Sequence, residues 1–416
     1  AEHEDLQNQI TDLNDILARK ERIETIIEEE LTNIKNVHAT PRRTEIVQGE
    51  GELLDKDLIA NEQSVILLTE QGYIKRMPVS TFEAQSRATR GKAAAKMKEN
   101  DGIEHFMTCC DRDSVLFFSD RGVVYCVKAY QIPTGSRTSR GIPIVQMLPI
   151  PKDEKITSVI PVTEFSDDEY LVMLTQTGYI KKTALSAFSN IRANGLIAIS
   201  LGEGDRLSWV RRAKEEDSII IGSSLGMAIH FKVDRDQLRP LGRATRGVKS
   251  MNLRDGDCLV GMDILPSSIS ESLVATDDSD TEEDLETDES TVVGDGPWVL
   301  TIAASGYGKR VPVSQFRLQK RGGKGTIATK FKSRNDDDRL AALRVVGEND
   351  ELTIVTTRGI MIRQAVNAIP SQSRSATGVR VQRLDAEDAI AAVALVPAVS
   401  EDADESQNEE GQTEEE

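Results

Sequence analysis

The stretch "LQKRGGKGTIA", residues 318–328, runs Gln319, Lys320, Arg321, Gly322, Gly323, Lys324 and Gly325 through its centre. Glycine has no Cβ, so backbone N–H groups can approach a ligand closely, and the cations attract an anion. The chemistry such a loop offers is a grip on phosphate. It has relatives along the chain: "QSRATRG" at 85–91, "GSRTSRG" at 135–141, "GRATRG" at 242–247 and "QSRSATG" at 372–378. A shorter version runs from Arg192 to Gly195. An arginine (Arg87, Arg137, Arg192, Arg243, Arg321, Arg374) precedes a glycine (Gly91, Gly141, Gly195, Gly247, Gly325, Gly378) every time. A recurrent turn would need the glycine but not the second cation, which four loops carry as Arg90, Arg140, Arg246 and Lys324.

More cations follow a second set of glycines: Lys75 and Arg76, Lys181 and Lys182, Lys232, Lys309 and Arg310, and Arg363. At equivalent positions of a closed array these would form a belt around its rim. A belt suits a long, bent polyanion better than a small ligand. Phosphate contacts of this kind are indifferent to base sequence and weaken steeply with salt.

Other chemistries find little support. His3, His38, His105 and His230 are scattered and make no metal or triad pattern. Cys109, Cys110, Cys126 and Cys258 include no C-x-x-C pair and read as reduced thiols, without zinc. No G-x-x-x-x-G-K-[ST] phosphate loop is present. Asp101, Asp205, Asp257 and Asp388 recur ten residues after the second glycine of a unit, which suits turns or caps better than catalysis.

The net charge of −18 hides a division. Residues 267–296 carry eleven acids and 401–416 carry nine, with no bases in either run. Residues 1–38 contribute −6, so the remaining body is +8. Such acid runs are expected to be disordered and to compete with a polyanion for the basic surface.

The elements that must position these loops show in the periodicity. Leu6, Ile10, Leu13, Leu17, Ile23, Ile27, Leu31 and Ile34 make a coiled-coil-type seam, which predicts one helix over 1–38, ended before Pro41. A linker over 39–60 leads to 61–400, where the period becomes that of strands. "SVILLTEQGYIKRMPV", "SVLFFSDRGVVYCVKA", "YLVMLTQTGYIKKTAL", "SIIIGSSLGMAIHFKV", "WVLTIAASGYGKRVPV" and "LTIVTTRGIMIRQAV" each read as a hairpin. Their turn glycines, Gly72, Gly122, Gly178, Gly226, Gly306 and Gly359, lie about 50 residues apart once the 267–296 insertion is set aside. The basic loop, a further alternating strand and a last apolar strand complete each unit. Four strands in each of six units predict a propeller-like closed array, the insertion falling between blades four and five. The chain starts mid-pattern, as a piece of a longer protein would. No run approaches the roughly 18 apolar residues of a membrane span.

The loop "QKRGGKG" is one residue from the Gln-Arg-Arg-Gly-Gly-Lys-Gly box that marks the gyrase A family of DNA topoisomerase chains. With six repeats and "YIK" or "YGKR" hairpins, residues 61–400 resemble that family's C-terminal domain, a six-bladed β-pinwheel. "PRRTEI" and the preceding helix resemble the join from a coiled-coil arm, and 401–416 the family's acidic tail. The resemblance implies wrapping of duplex DNA by a non-catalytic part of an A2B2 DNA gyrase holoenzyme, beside the gyrase A N-terminal domain and gyrase B. ATP and magnesium would serve other parts of that assembly, in the bacterial cytoplasm or an organelle. No tyrosine follows an arginine, as the family's cleaving tyrosine does. The family normally carries its intact box in the first blade, whereas here the best copy belongs to the fifth unit, which is therefore expected to be the main clamp. The alternatives are the A-type chain of topoisomerase IV, whose boxes are degenerate, and a propeller scaffold for basic proteins.

Overall fold

The structure is a computed structural model describing residues 2–40, 59–79, 103–136, 139–268, 296–332, 338–358, 360–385 and 388–396. The chain divides into two compact units, residues 1–58 and 59–416. The acidic insertion, apart from its first two residues and its last, lies outside the described residues, as do the whole acidic tail and the 85–91 loop.

In the first unit the predicted single helix is two, Glu2–Ala18 and Lys20–His38. Arg19 between them is extended, with φ −126° and ψ 111°. The seam explains the break. Apolar steps of three or four keep one face in phase, but Leu17 to Ile23 is a step of six. All eight seam residues are exposed, from Ile23 at 40% to Leu17 at 81%.

In the second unit the first strand of each hairpin is largely apolar, because blades pack face to face and bury both its sides. Ile66 and Leu68 of the first blade meet Val115 and Phe117 of the second. Leu116 and Phe118 meet Leu171 and Met173 of the third, and Val172 and Leu174 meet Ile219 and Ile221 of the fourth. The described turn glycines Gly72, Gly122, Gly178, Gly226 and Gly306 all take positive φ, such as Gly72 at 79° and Gly178 at 91°, and Gly359 lies outside the described residues. The last strand of each unit pairs with the first hairpin strand. These last strands (Ile103–Cys110, Ile156–Val162, Leu207–Lys214, Leu259–Leu265, Leu340–Val346, Ile390–Val396) touch one another in succession, the sixth against the first. They therefore ring the axis, and the second hairpin strands face outward.

The fourth strand of a blade does not come from its own unit, as the repeat pattern suggested. It is the two-residue strand after the basic loop of the next unit. Ile142–Pro143 pairs with Ile74 and Tyr73, and Leu196–Ile197 with Val124 and Val123. Val248–Lys249, Thr326–Ile327 and Val379–Arg380 join the third, fourth and fifth blades likewise. The sixth sheet has three strands among the described residues. The exchange seats each loop on the outer edge of the preceding blade, so the 319–325 loop of unit five rests on blade four.

Three of the four recurrent carboxylates serve the turns, and Asp101 lies outside the described residues. Asp205 accepts from the Thr177 N–H (3.1 Å) and hydroxyl (2.6 Å), Asp257 from the Ser224 hydroxyl (2.8 Å) and Asp388 from the Thr357 hydroxyl (2.8 Å). His230 is held between the Phe316 carbonyl and the Ser218 hydroxyl at 2.7 and 2.9 Å, a satisfied core histidine.

Candidate nucleic-acid interface

The loop's last glycine is where each loop touches its blade. Gly247, with φ 95°, sits so close that a Cβ would lie 2.5 Å from the Ile180 carbonyl oxygen. At Gly325 the same atom would lie 2.5 Å from the Ala228 oxygen. No side chain fits there, nor at Gly141 or Gly378, where a Cβ would lie 2.4 and 2.6 Å from a carbonyl oxygen, which is the physical reason for glycine at these points.

Beneath the loops the structure corrects one group of expected DNA-binding residues. Lys75, Lys181, Lys182, Lys309 and Arg310 are buried, and Arg76 is half-buried. The Lys75 ammonium donates to the carbonyls of Ser136 (3.1 Å) and Ser139 (2.9 Å). Lys181 donates to those of Gly242 and Arg243, and Lys309 to those of Ser373, Arg374 and Ala376 at 2.6–2.7 Å. Burial pushes Lys181 down to about 8 and Lys309 down to about 7. Arg76 pairs with Asp111, and Lys182 with Glu215 and the Val233 carbonyl. Arg310 donates to the Ile369 carbonyl. Of these cations Lys75, Lys181 and Lys309 face the loop backbone rather than solvent. They are staples under the neighbouring unit's loop, because a tight turn leaves carbonyls pointing inward that a strand ladder does not reach.

The outward cations are fewer. Arg140, Arg246, Lys320, Lys324, Arg192 and Arg380 are exposed. Arg321 of the best box is half-buried: its Nε donates to the Gln237 carbonyl (2.7 Å) and its Nη1 to the Lys249 carbonyl (2.7 Å). Arg243 donates to the Ala187 carbonyl at 3.0 Å, and the Arg374 N–H donates to Gln315 Oε1. The first arginine is thus a side-chain fastener in Arg243 and Arg321, and the second cation (Arg140, Arg246, Lys324) faces outward. Arg87, Arg90 and Arg137 lie outside the described residues. Gly322 takes φ 81°, which lets the 319–325 loop fold back so that its N–H meets the Ser250 carbonyl at 2.8 Å. Asn252 in turn donates to the Gly323 carbonyl, so this loop touches the segment following the loop before it.

Three tyrosines add features that charge counting missed. Arg140 lies over the Tyr73 ring at 3.7 Å from its centroid, and Arg246 over Tyr179 at 3.9 Å. Arg380 and Lys332 flank Tyr307 at 5.5 and 5.1 Å and donate to its hydroxyl. The signal was present in "GYIK", "GYIK" and "GYGK", the only hairpins with tyrosine after the turn glycine.

Fold and loops together define a β-propeller with exchanged edge strands and a basic outer edge. The chain belongs to the DNA gyrase C-terminal domain, β-propeller family, whose model matches residues 63–110, 113–163, 169–214, 217–266, 297–346 and 350–397. Over 406 residues it is 67% identical to the DNA gyrase A protein of Synechocystis sp., covering 97% of this chain and 47% of that protein. The chloroplastic/mitochondrial DNA gyrase A protein of Arabidopsis thaliana is 40% identical over 410 residues, 96% of this chain and 42% of its own length. The chain thus spans under half the length of these relatives. A solved DNA gyrase A C-terminal domain superposes with TM-score 0.59 at 24% identity, covering 80% of this chain and 99% of its own. The C-terminal domain of DNA topoisomerase IV gives 0.64 at 21%, covering 82% and 95%. At these identities both bear on the fold alone.

Proposed function

We propose that the propeller binds duplex DNA along its outer edge and wraps it without regard to base sequence, as the C-terminal part of a gyrase A protein. One observation carries the reading. The loops that end in Gly141, Gly247 and Gly325 are each fixed to a blade edge by that glycine and by carbonyl-bound cations, leaving a further cation turned outward. Arg140, Arg246, Lys320 and Lys324 follow one another along that edge. Bending DNA by 40–90° over 20–30 bp costs on the order of 1–6 kcal/mol, so several phosphate contacts must act together. The names of the relatives support the gyrase assignment over the topoisomerase IV one.

Wrapping would present a neighbouring segment of the same DNA to a cleavage gate with a fixed crossing sign, which is what negative supercoiling requires. The gate, the ATP site and its magnesium belong, in this reading, to the rest of an A2B2 holoenzyme in the cytoplasm or an organelle. The test is binding to a linear duplex of about 150 bp across a salt series. Affinity should fall steeply, by about 0.9 log units per log unit of salt for each phosphate contact. Salt-independent binding, or none, would remove the proposal.

A further inference from the structure

The propeller is built of two alternating kinds of blade. Blades one, three and five have tyrosine one residue after the turn glycine (Tyr73, Tyr179, Tyr307) and lysine three residues after it (Lys75, Lys181, Lys309). Blades two and four have Val123 and Met227, then Tyr125 and Ile229, at those places. Opposite the first position the exchanged strand supplies Pro143, Lys249 and Arg380 on odd blades but Ile197 and Ile327 on even ones. The chain entering the loop forms an extra bridge only on odd blades among the described residues: Arg76 with Thr134, Lys182 with Pro240 and Arg310 with Ser371.

We propose that DNA is gripped at alternate blades, where Tyr73, Tyr179 and Tyr307 are positioning residues that hold Arg140, Arg246 and Arg380 ready for backbone phosphates. This rests on the DNA-wrapping reading. A guanidinium held over a ring keeps N–H groups for phosphate oxygens: Arg140 gives one to Gln71 Oε1 at 3.4 Å and has others to offer. The ring also removes rotamer freedom that a free arginine would lose on binding. Odd loops add rigidity from below, since a buried lysine holds their carbonyls.

The fifth blade reaches the same result by another route. Its loop has Thr377 where the others have Arg140 and Arg246, and Arg380 comes to the ring from the exchanged strand with Lys332 beside it. On even blades the outward cations Arg192, Lys320 and Lys324 have no ring beneath them among the described contacts. They attract DNA at long range without a fixed geometry.

The experiment removes three charges at a time from the 416-residue chain. The odd set is Arg140→Ala, Arg246→Ala and Arg380→Ala; the even set is Arg192→Ala, Lys320→Ala and Lys324→Ala. Both sets are exposed, and unchanged thermal unfolding checks the fold. On a duplex of about 150 bp the odd set should lower affinity about tenfold more than the even set and reduce the salt slope by about 2.7. Tyr73→Leu and Tyr179→Leu should each weaken binding about 2- to 5-fold, and phenylalanine at either position should restore it. Tyr307→Phe should not restore it, because the hydroxyl there accepts from both cations. Equal losses from the two sets, or no rescue by phenylalanine, would overturn the alternation while leaving DNA wrapping intact. Loss of salt-dependent binding by the unmodified chain would instead remove the reading beneath it.

Discussion

The loops at 242–247 and 319–325 share one pattern and are built differently. The first lies on blade three, stapled from beneath by Lys181, with Arg246 over the Tyr179 ring. The second lies on blade four, where Ile229 replaces the lysine and Met227 the tyrosine. It is fastened from its own side instead, by Arg321 on the carbonyls of Gln237 and Lys249, and Gly322 gives it the backbone freedom to reach them. The loop richest in cations therefore commits its central arginine to holding shape. A signature read as a ligand grip is in large part a signature of loop seating.

The largest effect should come from what the two loops share. Gly247→Ala and Gly325→Ala each drive a Cβ to 2.5 Å from a carbonyl oxygen at positive φ. Each should cost about 3 kcal/mol, read as a drop in the unfolding midpoint. A mild effect at either site would mean that the loops are seated differently from one another.

Next in size is the staple. Lys181→Met should strand the Gly242 and Arg243 carbonyls and destabilise by about 2 kcal/mol, whereas Ile229→Met should cost under about 1 kcal/mol. Equal costs in denaturant titration would erase the distinction between the loops.

The smallest effect is one of pH. Burial holds Lys309 at about 7, against an ordinary 10.5 for the unfolded chain. Between these values the unfolded chain binds more protons, so this lysine makes stability rise with pH across that window. The unfolding midpoint of the unmodified chain should therefore gain on that of Lys309→Met between about pH 7 and pH 10. A constant difference would show that the ammonium persists in the fold.

Much of this was legible in the chain. Hairpins, turn glycines and the arginine–glycine interval all recur at one period, and that period defines the propeller. The exchange of edge strands was not, because a period does not say on which neighbour a loop rests. Lys75, Lys181 and Lys309 look outward in the sequence because their partners are carbonyls some 60 residues further on, which no local pattern reveals. The helix break at Arg19 was present in the step of six from Leu17 to Ile23. The alternation was visible too: tyrosine and lysine flank one intervening residue in units one, three and five only. Charge counting passed over it because a tyrosine carries no charge.

The most direct test is topological. A relaxed circular duplex is nicked, incubated with the chain, sealed with ligase and stripped of protein, and its linking number is compared with that of a circle sealed alone. Wrapping around the outer edge should shift the linking number by an amount that grows with protein and disappears at high salt, and the odd-set variant should abolish the shift. Full occupancy of the circle with no change in linking number would contradict wrapping and leave only binding.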